Sequence, residues 1–277
     1  MVTFPSTFDG IVSLGDIDND GDVDGVVSNF DNANPTATVP FIFGWDLQTN
    51  MIVGQYTPAD NASPNTLADI DGDGLLEILF KTSTELIALE NDFSVKWTLS
   101  ITNPGLNMNP PVAFDFDGDG DYEIVDQDAN SFRVIDGTNG TALFTDLIGA
   151  IPGFQNPIVA DVDADGLTEI AVIAATANTS LADNMGRLVV FQSDSYPWQT
   201  TRQVWNQFNW FHVNVQDDLG LPMIQQQHHF IQELNNFRVQ HGEQIASDAT
   251  ITLVDACLLY TSPSPRDATL SRMPSSA

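Results

Sequence analysis

The chain holds one cysteine in 277 residues, and only 8 Lys and Arg stand against 38 Asp and Glu. A single thiol cannot build a disulfide framework. The formal net charge is −30. A surface of that sign repels phosphate backbones, which argues against a nucleic-acid partner. It also repels an anionic membrane, unless a cation bridges the two. No apolar run approaches the ~18 residues of a membrane-spanning helix; Ile170-Ala171-Val172-Ile173-Ala174-Ala175 is only of strand length. No basic stretch followed by an apolar one opens the chain at Met1-Val2-Thr3-Phe4, so no signal peptide is visible. In a fragment that absence carries no information about secretion. What is present is a hydrophobic fraction of 42% with 17 Phe, enough for a large core and against global disorder.

Acidic residues nearly vanish in residues 257–277, where Ser, Pro and Arg take over. Back-translation of Cys257 to Asp267, and of Met273 to Ala277, fits a transposase-based sequencing adapter. This segment is therefore expected to be non-native and is set aside from the fold. It contains Arg266, Arg272 and Asp267, so without it the net charge becomes −31. The only cysteine, Cys257, goes with it.

One nonapeptide occurs four times: DIDNDGDVD at 16–24, DIDGDGLLE at 69–77, DFDGDGDYE at 115–123 and DVDADGLTE at 161–169. The common pattern is D-x-D-x-D-G-x-x-[DE], at intervals of 53, 46 and 46 residues. Calcium is a hard cation that takes six to eight oxygens, and acids at alternate positions of a tight loop can converge on one. Position one is Asp16, Asp69, Asp115 or Asp161; position three is Asp18, Asp71, Asp117 or Asp163; position five is Asp20, Asp73, Asp119 or Asp165. Gly21, Gly74, Gly120 and Gly166 at position six permit the sharp turn. Position seven varies among Asp22, Leu75, Asp121 and Leu167, which fits a ligand role for the backbone carbonyl alone. Asp24, Glu77, Glu123 and Glu169 at position nine can close the shell. Up to four structural Ca²⁺ ions are expected. Magnesium keeps its waters and suits such a cage less well. Asp-Gly hairpin turns without metal are the competing reading, but turns need only the Asp-Gly pair.

An EF-hand would need an acid at position twelve, where this chain has Val27, Phe80, Asp126 and Val172. The flanks are short β-branched runs on both sides, so each loop joins two strands rather than two helices. An apolar strand, a polar turn and a further strand follow in phase, at residues 41–56, 86–99, 132–144 and 188–198. Each unit then has about four strands in roughly 46 residues, the period and content of a propeller blade. The expected class is all-β: a β-propeller with four visible four-stranded antiparallel blades, at about 1–62, 63–108, 109–154 and 155–198.

The loop-plus-strand repeat resembles the FG-GAP/VCBS family, the calcium-binding blades also found in integrin α-subunit propellers. The resemblance covers residues 1 to about 198. It implies one calcium per loop, held by the acids at the matching positions, and a total of seven blades. Four are visible, so the chain is expected to be the C-terminal part of a propeller. The Phe-Gly and Gly-Ala-Pro elements that name the family are not intact here.

Residues 199–244 break the repeat and are rich in Gln, Asn and aromatics. They resemble a trailing segment of bacterial surface proteins, through R-x-V-W-N-Q and L-N-N-F-R. They are expected to cap the last blade through Trp198, Trp205, Phe208, Trp210, Phe211, Phe230 and Phe237; an aromatic platform for carbohydrate is the sharper alternative. His212, His228, His229 and His241 all lie here. Adjacent His228 and His229 point to different sides of a regular element, against a shared zinc. Residues 245–256 alternate like a strand and read as the start of a further β-domain.

No nucleophile elbow, H-E-x-x-H or phosphate-cradling loop is present. The expected function is therefore non-enzymatic: a calcium-binding module of a secreted or cell-surface bacterial protein, in adhesion or scaffolding, with a protein or carbohydrate partner. The alternative is an accessory propeller of an extracellular polysaccharide-degrading enzyme.

Overall fold

The computed structural model describes residues 10–29, 42–103, 109–149, 155–174, 186–193, 197–216, 218–224, 227–243 and 253–261, the last by backbone alone. Sheet 1 is made of β1 (Gly10–Gly15), β2 (Asp24–Asn29), β3 (Ile42–Asp46) and β4 (Met51–Tyr56). Sheet 2 is made of β5 (Thr66–Ala68), β6 (Glu77–Lys81), β7 (Glu85–Leu89) and β8 (Val95–Ser100). Sheet 3 is made of β9 (Val112–Phe114), β10 (Glu123–Gln127), β11 (Phe132–Asp136) and β12 (Ala142–Asp146). Sheet 4 begins with β13 (Ile158–Ala160), β14 (Glu169–Ala174) and β15 (Arg187–Ser193). All pairings within these sheets are antiparallel, and strand order follows chain order. Sheets 1, 2 and 3 share even their irregularity: the register shifts between Gly44 and Trp45, between Ala88 and Leu89, and between Val134 and Ile135. The repeated nonapeptide thus joins the first and second strand of each four-stranded blade, as its flanks predict.

The blades stack face to face through three apolar layers. Residues alternate between layers because neighbours on a strand point to opposite faces. In β6, Ile78 and Phe80 face sheet 1 while Leu79 faces sheet 3; in β10, Ile124 faces sheet 2 while Val125 faces sheet 4. Strands buried on both faces read as continuous apolar runs. Each such Ile, Leu or Phe contributes about 1.5–3 kcal/mol through its transfer from water. The fit is close: a Cβ on Gly54 of sheet 1 would lie 2.1 Å from the Phe93 ring of sheet 2. A buried ion pair, Lys81 Nζ to Asp126 Oδ1 at 2.7 Å, adds a polar tie between sheets 2 and 3. The two flanks differ. On sheet 1, Val12, Leu14 and Leu47 are exposed, and on sheet 4 so are Ile173 and Leu188. Among the described residues no further sheet lies against these two flanks.

Residues 245–256 read as the opening of a further β-domain and 257–277 as a non-native tail, and the strand pairing decides neither. The backbone sets β18 (Leu253–Thr261) antiparallel on β15 as the fourth strand of sheet 4. It replaces the outer strand expected from residues 188–198. The reason lies in the edge of β15: unpaired backbone groups accept any strand-competent segment, so the pairing reports the open edge rather than the origin of the segment.

The trailing segment does more than cap the last blade. It contains β16 (Thr200–Thr201) paired with β17 (Gly242–Glu243), and two 3-10 turns, His212–Asn214 and Gln232–Leu234. Its C-terminal half crosses the first strands of all four sheets. Asn235 bonds Asp16 beside β1, Phe237 bridges Leu67 of β5, Val239 bridges Ala113 of β9, and Gln240 Nε2 donates to Val159 O of β13 at 3.1 Å. Its aromatics divide likewise. Trp198 packs between sheets 3 and 4, and Phe211 and Phe237 between sheets 1 and 2. Trp198 and Trp210 are fully buried, so neither ring is available to an exposed platform. Phe230 is exposed.

Candidate metal centres

Each nonapeptide folds by the same local hydrogen bonds. The position-six N–H groups of Gly21, Gly74, Gly120 and Gly166 donate to Oδ2 of Asp16, Asp69, Asp115 and Asp161, at 2.9, 2.9, 3.2 and 3.2 Å. All four glycines are left-handed, with φ between +88° and +97°. A Cβ at Gly120 or Gly166 would meet nothing within 4 Å; the requirement there is the backbone angle, not space. Oδ1 of Asp20, Asp73, Asp119 and Asp165 at position five accepts the position-seven N–H at 2.9, 2.8, 2.9 and 2.8 Å. The position-nine acid reaches back across the loop. Asp24 Oδ2 and the Oε2 atoms of Glu77, Glu123 and Glu169 accept the position-two N–H of Ile17, Ile70, Phe116 and Val162 at 2.8–3.0 Å. Ile17, Ile70 and Phe116 are buried and root the loop in the apolar layers, whereas Val162, on the open flank, is exposed.

This scaffold brings acids together. Ligand atoms of Asp16, Asp18 and Asp24 lie within 4.8 Å of one another, as do those of Asp69, Asp71 and Glu77, of Asp115, Asp117 and Asp119, and of Asp161, Asp163 and Glu169. Positions one, three and nine converge in three loops; in the third, position five takes the place of nine. Asp20, Asp73, Asp165 and Glu123 stand outside these groups, with one oxygen of each committed inside the loop. Asp22 and Asp121 also stand outside them, and Leu75 and Leu167 have no side-chain oxygen to offer. Among the described residues no histidine joins such a group. His212 and His241 have rings 4.7 Å apart, and His228 and His229 5.5 Å.

The fit to a cation is visible in what is left over. Asp69 Oδ1, Asp71 Oδ1, Glu77 Oε1 and Glu169 Oε1 are buried and have no hydrogen-bond partner. Glu77 is 0% exposed and Glu169 1%. A buried oxygen without a partner costs stability, and three of these four belong to one loop. Burial, with neighbouring acids adding to it, pushes the Glu77 and Glu123 carboxyls up to about 9 and Glu169 to about 7. Asp24 and Asp115 rise to about 6, again chiefly through burial. At neutral pH the Glu77 and Glu123 carboxyls retain their protons unless a positive charge relieves them. In the second loop Lys96 supplies part of that charge by bonding Asp71 and Glu90.

Two features escaped the sequence pattern. Position four is also left-handed in every loop: Asn19 at φ 59°, Gly72 at 68°, Gly118 at 80° and Ala164 at 64°. The Asn/Gly enrichment at that position was the available signal. The second feature is the set of amides from the trailing segment that meet position one. Gln232, Gln199 and Gln203 donate from Nε2 to Oδ2 of Asp69, Asp115 and Asp161 at 3.3, 3.2 and 3.2 Å. In the first loop Asn235 brackets Asp16: it accepts the Asp16 N–H at 2.9 Å and donates to the Asp16 carbonyl at 2.8 Å. No sequence pattern links these amides to the loops. A cavity of about 310 Å³ lies among Asp69, Asp115, Tyr122, Gln232, Glu233 and Asn236.

The architecture has solved counterparts. The crystal structure of the V. cholerae biofilm matrix protein Bap1 is similar, with TM-score 0.53 and 15% identity over 83% of this chain. This chain spans 42% of the length of that protein. BamB from Moraxella catarrhalis is more distant, with TM-score 0.43 and 14% identity over 65% of this chain and 50% of that one. At these identities the likeness concerns the fold: the chain has a β-propeller architecture. No protein-family model matches the chain. No curated protein matches it. Among the described residues no helix is long and apolar enough to cross a membrane.

Proposed function

We propose that this chain is a calcium-stabilised propeller module of FG-GAP/VCBS type, without catalytic activity of its own, within a secreted or cell-surface protein that acts in adhesion or as an extracellular scaffold. The observation that carries the cation reading is that Asp69, Asp71 and Glu77 converge in a loop of all-oxygen ligands, while Asp69 Oδ1, Asp71 Oδ1 and Glu77 Oε1 are buried without hydrogen-bond partners. Calcium is favoured over magnesium by the number of carboxylates and the small share left to water. Bound calcium would supply positive charge to these loops. The chain's own residues do the rest: positions one and nine are held by backbone N–H groups, and the left-handed positions four and six turn the loop around the acids.

The extracellular setting is supported by chemistry. Loops of this kind in extracellular modules hold calcium at about 10⁻⁴–10⁻³ M, a concentration range found outside cells. The similar Bap1 fold belongs to a biofilm matrix protein, which agrees with a scaffolding role and a protein or carbohydrate partner. The test is equilibrium dialysis against calcium after chelation, with up to four ions per chain expected at millimolar calcium. A stoichiometry of zero would refute the cation reading.

A further inference from the structure

The four loops are joined to one another, and the joints run through the trailing segment. Loops 2 and 3 touch directly, Tyr122 N donating to Ile70 O at 3.2 Å. Loops 3 and 4 meet on Gln199. Its N–H donates to Phe116 O at 3.0 Å, its Nε2 donates to Asp115 Oδ2 at 3.2 Å, and its carbonyl accepts the Thr168 hydroxyl of loop 4. Loop 4 is held again where Asp161 N donates to Arg202 O at 3.3 Å and Gln203 donates to Asp161. Loops 1 and 2 meet on a single 3-10 turn, whose first residue Gln232 bonds Asp69 and whose C-terminal neighbour Asn235 brackets Asp16. Asn235 N donates back to Ile231 O at 2.9 Å, which closes the turn.

The oxygen each glutamine chooses is also informative. In loops 2, 3 and 4 it is the Oδ2 atom that already accepts the glycine N–H. The amide therefore holds the position-one carboxylate by the glycine-bonded oxygen; in loop 2 this leaves Asp69 Oδ1 without a partner, while in loops 3 and 4 Oδ1 of Asp115 and Asp161 accepts the N–H of Gly118 and Asp165 at 2.6 and 3.2 Å. An amide can hold this oxygen only when the loop is ordered, and without a cation the position-one, -three and -five carboxylates repel one another. Ordering one loop thus favours docking of the segment that orders the next, and linkage makes the effect reciprocal.

Resting on the cation reading above, we propose that Gln199, Gln203, Gln232 and Asn235 are positioning residues that turn the trailing segment into a clamp across the four loops, so that cation loading is cooperative and coincides with docking of residues 199–243. The test uses the full 277-residue chain, with calcium alone as the probe. Ions bound are counted by dialysis, and segment docking is followed by limited proteolysis and by fluorescence of Trp198, Trp205 and Trp210 along the same titration. The expected result is a Hill coefficient above two, with protease protection rising at the half-saturating concentration. Gln232→Met and Gln203→Met alter exposed side chains and keep the fold. Each is expected to raise half-saturation by about fivefold, the lower end of common coupling factors, and to lower the Hill coefficient without changing the ions bound at saturation. Gln199→Met removes the side-chain bond to Asp115 and keeps the main-chain bonds to Phe116 and Thr168; it should shift both quantities in the same directions. Four ions bound with a Hill coefficient of one, unchanged in the exposed variants, would overturn the clamp and leave the cation reading standing. Protection already complete without calcium would do the same. No ions bound would overturn both.

Discussion

Inside the loops, the hydrogen bonds that fix the acids link residues two to seven positions apart. The bonds by which the trailing segment reaches those loops span 31 to 219 positions. The blades are four copies of one local solution: an apolar strand, a turn closed by carboxylates on backbone N–H groups, and a second apolar strand. The trailing segment occurs once, has almost no regular structure, and owes its conformation to the sheets it crosses. Its Arg238 is fully buried, bonds Asn65 O and Asn209 Oδ1, and lies 4.9 Å from the Phe237 ring. The difference teaches where cooperativity resides. Repeated units contact mainly their neighbours, and a non-repeating segment is what places all four in contact with one element.

The comparison breaks most directly at Phe237. Truncation to Ala opens the layer between sheets 1 and 2, and should cost about 3–5 kcal/mol, read by urea denaturation. A cost under about 1 kcal/mol would mean that the segment is a loosely attached flap. Next in size is Glu77→Gln. At neutral pH without calcium, the Glu77 carboxyl holds its proton, since burial pushes it up to about 9. The amide mimics that state, so ion-free stability should change little. In about 1 mM calcium the variant should lose the contribution of one site, about 0.4–1.4 kcal/mol for the affinity range above, read as the difference between melts with and without the ion.

The pH dependence should separate the two regions as well. Glu77 and Glu123 ionise near 4.5 in the unfolded chain and near 9 in the ion-free fold. Between these values the folded state binds more protons, so ion-free stability falls as pH rises from 7 to 9. His228 and His241, depressed by burial to about 4 and about 3, act with the opposite sign, but only below about 6.5, where the unfolded imidazoles ionise. Calcium should abolish the alkaline loss, because it binds the carboxylate form; chemical denaturation at pH 7, 8 and 9 checks this. The smallest expected effect is that of Ala164→Gly. Ala164 is the one alanine among the left-handed position-four residues, and glycine should stabilise loop 4 by about 0.5–1 kcal/mol. The same change at Ala171, within β14, should destabilise.

Much of this arrangement was legible in the chain itself. D-x-D-x-D-G-x-x-[DE] marks the loops because each of its acids answers a local need: position one for the glycine N–H, position five for the turn, position nine for the N–H seven residues back. Flanking runs such as Ile78-Leu79-Phe80 mark strands buried on both faces. The amides of Gln199 and Gln232 were not legible, since their partners lie 84 and 163 positions away and glutamine has no spacing signature. Nor was β18, because an open edge selects its partner by availability rather than by pattern.

The central claim, that the acids of these loops hold structural calcium, is tested most directly by thermal melts of the chelated protein along a calcium titration, with magnesium in parallel. A melting temperature that climbs through the millimolar calcium range, with a weaker response to magnesium, is the predicted result. A folded, β-rich protein whose melting temperature ignores calcium would contradict the account and reduce the four loops to Asp-Gly turns.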